Sequence, residues 1–152
     1  MLKKIVAASA VSLFAASAMA ASCDITITGT DQMVYAQGGK EITEIVVPAS
    51  CQDFTIHLNH GGKMPVTAMG HNVVIAKAAD ISGVADDGMR AGAKNGYLKP
   101  NDARVLAYSE MVGAGGKTSV SFPVARIKDG AYDFFCSFPG HQIKMRGQLI
   151  VQ

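Results

Sequence analysis

Val120-Ser121-Phe122-Pro123-Val124 places Val120, Phe122 and Val124 on one side of an extended chain and Ser121 and Pro123 on the other. Successive side chains of a strand point to opposite faces, so this alternation marks a half-buried β-strand. Phe54, Ile56 and Leu58 repeat the pattern in Phe54–Leu58, which leaves His57 on the solvent face. Working outward, the run just quoted fills Ser119–Val124. Similar short runs rich in Val, Ile, Thr and Phe occur at Asp24–Thr28, Gln32–Ala36, Ile42–Val47, Asn72–Ala76, Arg104–Tyr108, Tyr132–Cys136 and Gly147–Val151. Turn signals separate them: Gly38-Gly39, Gly61-Gly62, Gly113 to Gly116 and Asp129-Gly130. Many short strands with regular turns predict an all-β antiparallel sandwich or barrel. One stretch departs from this. Ala78 to Gly92, rich in Ala, Gly and Asp, predicts one or two helical turns capped by Asp80 and ending near Gly92, with Asp86-Asp87 solvated near a helix end. Asn95 to Asp102, containing Pro100, is irregular.

The chain has 152 residues and is 49% apolar, which suits one domain with a real core. Residues 1–20 read as a secretory signal: basic Lys3 and Lys4, an apolar run from Ile5 to Phe14, and the small-x-small site Ala18-Met19-Ala20. Ala21 then starts the mature protein, residues 21–152 form the domain, and the compartment is the bacterial periplasm. No later segment has the length for a membrane span. Once Lys3 and Lys4 are removed, basic and acidic residues balance, which excludes the concentrated basic patch that nucleic acid requires.

Exported proteins seldom keep free thiols, yet there are three cysteines. Cys23 is paired with Cys51, a closure over about 28 residues worth roughly 3–4 kcal/mol on the chain-entropy estimate. Cys136 is left over. It stands in Phe134-Phe135-Cys136-Ser137-Phe138-Pro139-Gly140-His141-Gln142-Ile143-Lys144-Met145, which spaces a thiolate, an imidazole and a thioether as Cys-x4-His-x3-Met. Pro139-Gly140 forces a tight turn that brings His141 back beside Cys136. Alone, a buried Cys is a small core residue, a lone Met packs in a core, and a lone His is satisfied by hydrogen bonds. The set of three in one short loop is what points to a metal. A soft thiolate and thioether with imidazole suit a trigonal Cys-His-His site with a weak axial Met, the blue-copper arrangement; zinc prefers four firm ligands. A second histidine is then needed. His71 in Met69-Gly70-His71-Asn72 is the candidate, with the Gly70 carbonyl as a distant axial oxygen.

These segments resemble the azurins. Ala68-Met69-Gly70-His71-Asn72 is similar to the azurin segment that supplies the first histidine, and Phe134–His141 followed by Met145 is similar to the azurin ligand loop. Asp31-Gln32-Met33, Asp87-Gly88-Met89, Tyr97-Leu98-Lys99-Pro100 and the positions of Cys23 and Cys51 add to the likeness. The resemblance implies an eight-stranded Greek-key β-sandwich (cupredoxin-like) with a short helical flap and one type 1 copper per chain. It implies Cys136, His71 and His141 as strong equatorial ligands, with Met145 and the Gly70 carbonyl weak and axial. Asn72 would tie the ligand loops together, and the Phe138 amide would donate to the Cys136 sulfur. Two features depart from the pattern: Val73 stands where many azurins have Trp, and Gln37–Ile42 is longer than usual.

The expected function is single-electron transfer through copper, with no substrate transformed and no enzyme activity. Electrons would pass through His141, its ring edge emerging in an apolar patch with Met33, Met69, Met89, Phe138 and Pro139. By resemblance, the partners are c-type cytochromes and copper- or quinone-containing periplasmic reductases or dehydrogenases, met in transient encounters by a monomer. His60 reads as a loop histidine, with a titrating group near the site as the alternative. His57 and His60 together offer a second metal site that nothing nearby supports. Two rival functions are a copper carrier, disfavoured by one closed ligand loop, and a metal-free adhesive sandwich, which leaves Cys136 without a use.

Overall fold

Burial follows the alternation read from the sequence. Strand β8 (Lys117–Pro123) buries Val120 and Phe122 while Ser119 and Ser121 stay exposed. It pairs antiparallel with β5 (Asp53–His60) so that Phe54 meets Phe122 and Ile56 meets Val120 on the same apolar face. The computed structural model describes residues 22–152; the expected signal segment 1–20 and the mature terminus Ala21 lie outside the described residues.

Two five-stranded sheets pack face to face. One joins β5 and β8 to β1 (Asp24–Gly29), β2 (Tyr35–Gln37) and β3 (Lys40–Glu41), in the order β3-β2-β1-β5-β8. The other contains β4 (Glu44–Val47), β6 (Val74–Lys77), β7 (Val105–Tyr108), β9 (Tyr132–Phe135) and β10 (Arg146–Val151), in the order β4-β10-β9-β6-β7. Every expected run contains a strand. The total is ten rather than eight because the stretch from Tyr35 to Val47 is divided among β2, β3 and β4. Residues 32–34, expected at the start of a strand, instead form a turn in which the Met33 N–H donates to the Thr30 carbonyl at 3.0 Å. Gly38 and Gly39 both hold positive φ, 57° and 79°, in the two-residue hairpin turn between β2 and β3, a conformation that suits glycine. Pairing is mixed rather than purely antiparallel: β1 runs parallel to β5, and β4 parallel to β10.

The main core lies between the sheets and includes Ile27, Tyr35, Ile56, Leu58, Val73, Phe122 and Phe134. Val73 is completely buried, so the core closes around it without a tryptophan. Cys23 and Cys51 are bonded, with their Cα atoms 5.7 Å apart.

The flap is longer than expected. A 3-10 turn at Ala78–Asp80 leads into α2 (Ile81–Ala91), whose Ile81, Val84 and Ala85 are buried, and Ile81 and Val84 pack with Val74, Ala76, Leu98 and Phe135 in a second small core. A shorter helix, α1 (Val66–Met69), just before Gly70, was not expected. Asp80 makes no side-chain capping bond, because it is itself in helical conformation at the end of the 3-10 turn. Gly92, at φ 76°, ends α2 as expected, and its N–H donates to the Gly88 carbonyl. Asp87 is not merely solvated. It accepts from Arg90 at 2.7 Å and from Arg104 at 2.6 Å, and Arg104 also reaches Asp102 at 2.6 Å. The hydrogen bonds from Arg104 pull the Asp102 carboxyl down to about 2. No helix among the described residues is long and apolar enough to cross a membrane.

Candidate metal centre

β9 ends at Phe135, and the chain then carries Cys136 into the ligand loop. The Cys136 N–H donates to the Met145 carbonyl at 3.0 Å, closing the loop at its base. Within it, Gly140 takes φ 83° and the His141 N–H donates to the Phe138 carbonyl at 3.0 Å. This is the tight turn that Pro139-Gly140 predicts, and it folds His141 back over Cys136. His71 comes from the other side, where its backbone exchanges hydrogen bonds with Val112 just ahead of β6.

The three side chains converge. The Cys136 sulfur lies 3.6 Å from His141 Nδ1 and 4.0 Å from His71 Nδ1. All three potential ligand atoms lie within 4.8 Å of one another, and all three residues are buried. The Gly70 carbonyl is 3.6 Å from the sulfur. Met145 is fully buried beside Gly29: a Cβ at Gly29 would come within 3.1 Å of the Met145 methyl and 2.7 Å of the His71 ring. Only the absence of a side chain at Gly29 admits both.

Hydrogen bonding fixes the histidine tautomer. His71 Nε2–H donates to the Thr30 carbonyl at 2.9 Å, which leaves the Nδ1 lone pair facing the sulfur. Burial, reinforced by the neighbouring His60, lowers the His71 pKa to about 4, and burial lowers that of His141. Burial pushes the Cys136 thiol up to about 12, although the backbone N–H groups of Asn72 and Phe138 pull it down. Two neutral imidazoles and a dry thiol make a poor nucleophile and a poor acid-base pair. They fit a soft cation that displaces the thiol proton, because a metal takes cysteine as thiolate and histidine as the neutral ring.

Asn72 ties the loops as expected. Its Nδ2 donates to Ser137 Oγ at 2.9 Å, and its Oδ1 accepts the Ser137 N–H at 2.9 Å. Ser137 Oγ also donates to the Gly96 carbonyl at 2.8 Å, joining the ligand loop to the segment after the flap.

Several expectations change. His60 is not a loop residue. It ends β5, is 4% exposed, and stacks on His71 with ring centroids 4.5 Å apart. Its Nε2–H donates to the Met69 carbonyl at 2.7 Å and its Nδ1 accepts the Gly62 N–H at 3.2 Å, so both ring nitrogens are satisfied. His57 pairs with Asp24 at 3.7 Å on the outer face and takes no part in a cluster with His60. The His141 ring edge was expected to emerge, yet the residue is 3% exposed, with the Phe138 ring 4.6 Å away. Met33 and Met89 are exposed, while Met69, Phe138 and Pro139 are partly buried. Sequence reading missed Ile143, which is 82% exposed at the tip of the ligand loop. It also missed Gly29, Thr30 and Tyr35; Asp31-Gln32-Met33 drew attention to that region without singling them out.

Comparisons with known proteins agree with this geometry. A family model described as copper binding proteins, plastocyanin/azurin family, matches residues 21–152. The azurin of Pseudomonas aeruginosa is 44% identical over 153 residues, covering 100% of both chains. Azurin iso-2 of Methylomonas sp. strain J is 49% identical over 130 residues, covering 85% of this chain and 97% of that one. A solved structure of the azurin Az-iso2 from Methylomonas sp. strain J superposes with a TM-score of 0.79 at 48% identity, covering 87% of this chain and 99% of the other.

Proposed function

The chain belongs to the plastocyanin/azurin family of copper-binding proteins, and from that premise we propose that His71, Cys136 and His141 are its equatorial copper ligands, with Met145 and the Gly70 carbonyl axial. The protein transfers single electrons through a type 1 blue-copper centre and is not an enzyme. Copper held by these residues supplies one redox step, between Cu(I) and Cu(II).

The observation that carries the ligand reading is the convergence of three buried donor atoms within 4.8 Å, with the His71 lone pair turned inward by Thr30. Cys136 would hold the metal as a thiolate, the site's single anionic ligand. His71 and His141 bind as neutral rings. The Asn72–Ser137 bonds tie the two ligand-bearing loops together, which would limit rearrangement of the donors when copper changes oxidation state. Ile143 and the exposed Met33 and Met89 present apolar surface outward. Such a surface suits brief encounters with redox partners. Those partners are c-type cytochromes and copper- or quinone-containing reductases or dehydrogenases, met by a monomer in the periplasm after residues 1–20 are removed.

Titration with copper tests the reading. One equivalent is expected to give an intense blue band and narrow copper hyperfine splitting in EPR, both lost and regained on reduction and reoxidation. A pale tetragonal spectrum contradicts it. Cell fractionation and the N-terminal sequence of the exported protein test processing at Ala21; a cytoplasmic, unprocessed chain contradicts export.

A further inference from the structure

Tyr35 is a buried polar residue that the electron-transfer reading does not use. It lies in β2, in the sheet opposite the ligand loop, and is 1% exposed. Its ring packs against Phe134, with centroids 5.3 Å apart, and Phe134 lies two residues before Cys136 on β9. Its hydroxyl crosses the core and donates to the Asn72 carbonyl at 2.5 Å. Among the described residues, no backbone N–H donates to that carbonyl. Asn72 follows His71 directly, and its side chain holds both the N–H and the hydroxyl of Ser137, which follows Cys136. One tyrosine therefore touches the two ligand-bearing segments, one through its ring and the other through its hydroxyl.

We propose that Tyr35 is a positioning residue for the metal centre: its hydroxyl clamps the Asn72 carbonyl from the opposite sheet and so presets the distance between the His71 and Cys136 segments before metal arrives. This rests on the ligand set proposed above. A carbonyl is a poor proton acceptor, and burial raises the phenol well above its usual range. Tyr35 therefore stays a hydrogen-bond donor and is unsuited to relaying an electron by losing its proton. The clamp works on geometry already present in the metal-free chain, in the manner of outer-shell groups that orient ligands elsewhere.

Tyr35→Phe removes one oxygen and keeps the ring contact with Phe134. Copper affinity is read by competition with a chelator, and amide exchange at Ser137 is read in the metal-free protein. Val120→Ala, which trims the core away from the ligands, is the control for general loss of stability. The expected result is roughly tenfold weaker copper binding in Tyr35→Phe, faster exchange at Ser137 and a shifted visible band, with none of these in Val120→Ala. Affinity within about twofold of wild type together with unchanged exchange overturns the clamp, as does an equal loss in both variants. A wild-type protein that binds copper without a blue band sinks the ligand assignment instead, and the exchange measurement still decides whether the clamp exists.

Discussion

The ligand end of the sandwich and the helical flap both order polar side chains, but by opposite means. At the ligand end the contacts are neutral: His71 to Thr30, His60 to Met69, Tyr35 to Asn72, and Asn72 to Ser137. At the flap they are charged: Arg104 grips Asp87 and Asp102, and Arg90 adds to Asp87. Neutral contacts can be buried completely because they leave no unbalanced charge. They also leave the metal and one thiolate to set the charge of the centre. Ion pairs are tolerated at the flap because each carboxylate meets an arginine: the Asp102 side chain is only 5% exposed, and its partner Arg104 is 33% exposed. The flap ion pairs thus differ from the neutral contacts around His71 and Cys136, while Lys144 and the Arg146–Asp133 pair flank Met145.

That contrast can be broken or sharpened by substitution. The largest effect belongs to Cys136→Ser, which is expected to abolish the blue band while the metal-free protein stays folded by circular dichroism. A surviving intense band would show that the anionic ligand lies elsewhere. Next, Ile81→Ala empties part of the flap core and is expected to cost about 2–5 kcal/mol in urea unfolding. The copper spectrum should not move, since the flap core contains none of the ligands; a changed spectrum would erase the division between the two regions. Asn72→Ala leaves the buried Ser137 N–H without its acceptor and is expected to cost about 1–3 kcal/mol, measured by the same unfolding, and to be insensitive to salt because the lost bonds are neutral.

The smallest effect is electrostatic. Asp102 is held at about 2 in the folded chain against about 3.9 unfolded. A depressed carboxyl stabilises the fold above its unfolded value and loses that contribution as pH falls through the folded one. Thermal melts of wild type and Asp102→Asn are therefore expected to differ by a few degrees at neutral pH and to converge as the pH drops from about 4 towards about 2. A difference that persists at the acid end would assign the effect to packing rather than to the ion pair.

The ligand loop was legible because it is local. Cys136, His141 and Met145 fall within one turn-containing segment, and Gly70-His71-Asn72 is a compact signature of its own. The strands were legible from alternation, as Phe54, Ile56 and Leu58 opposite Val120 and Phe122 illustrate. Alternation says which face is buried but not which way the neighbour runs, so the parallel pairing of β1 with β5 and of β4 with β10 stayed hidden. Thr30 and Tyr35 stayed hidden as well, and His60 surfaced only as an alternative near the site, because each meets the centre through a contact made only after the sheets pack. Tyr35 was only one residue of the Gln32–Ala36 run, and nothing local announces that its hydroxyl meets Asn72. Ile143 escaped because a loop tip carries no period from which exposure can be read. The α2 helix was underestimated because its apolar stripe, Ile81 with Val84 and Ala85, is interrupted by Gly83 and Gly88, which weaken a helical reading.

The proposed site puts one copper among Cys136, His71 and His141. Diffraction from crystals of the copper-loaded protein, measured on either side of the copper absorption edge, locates the metal directly. One anomalous peak per chain is expected, bonded to the Cys136 sulfur and to Nδ1 of both histidines. A single peak at another position, such as the surface pair His57 and Asp24, would contradict it.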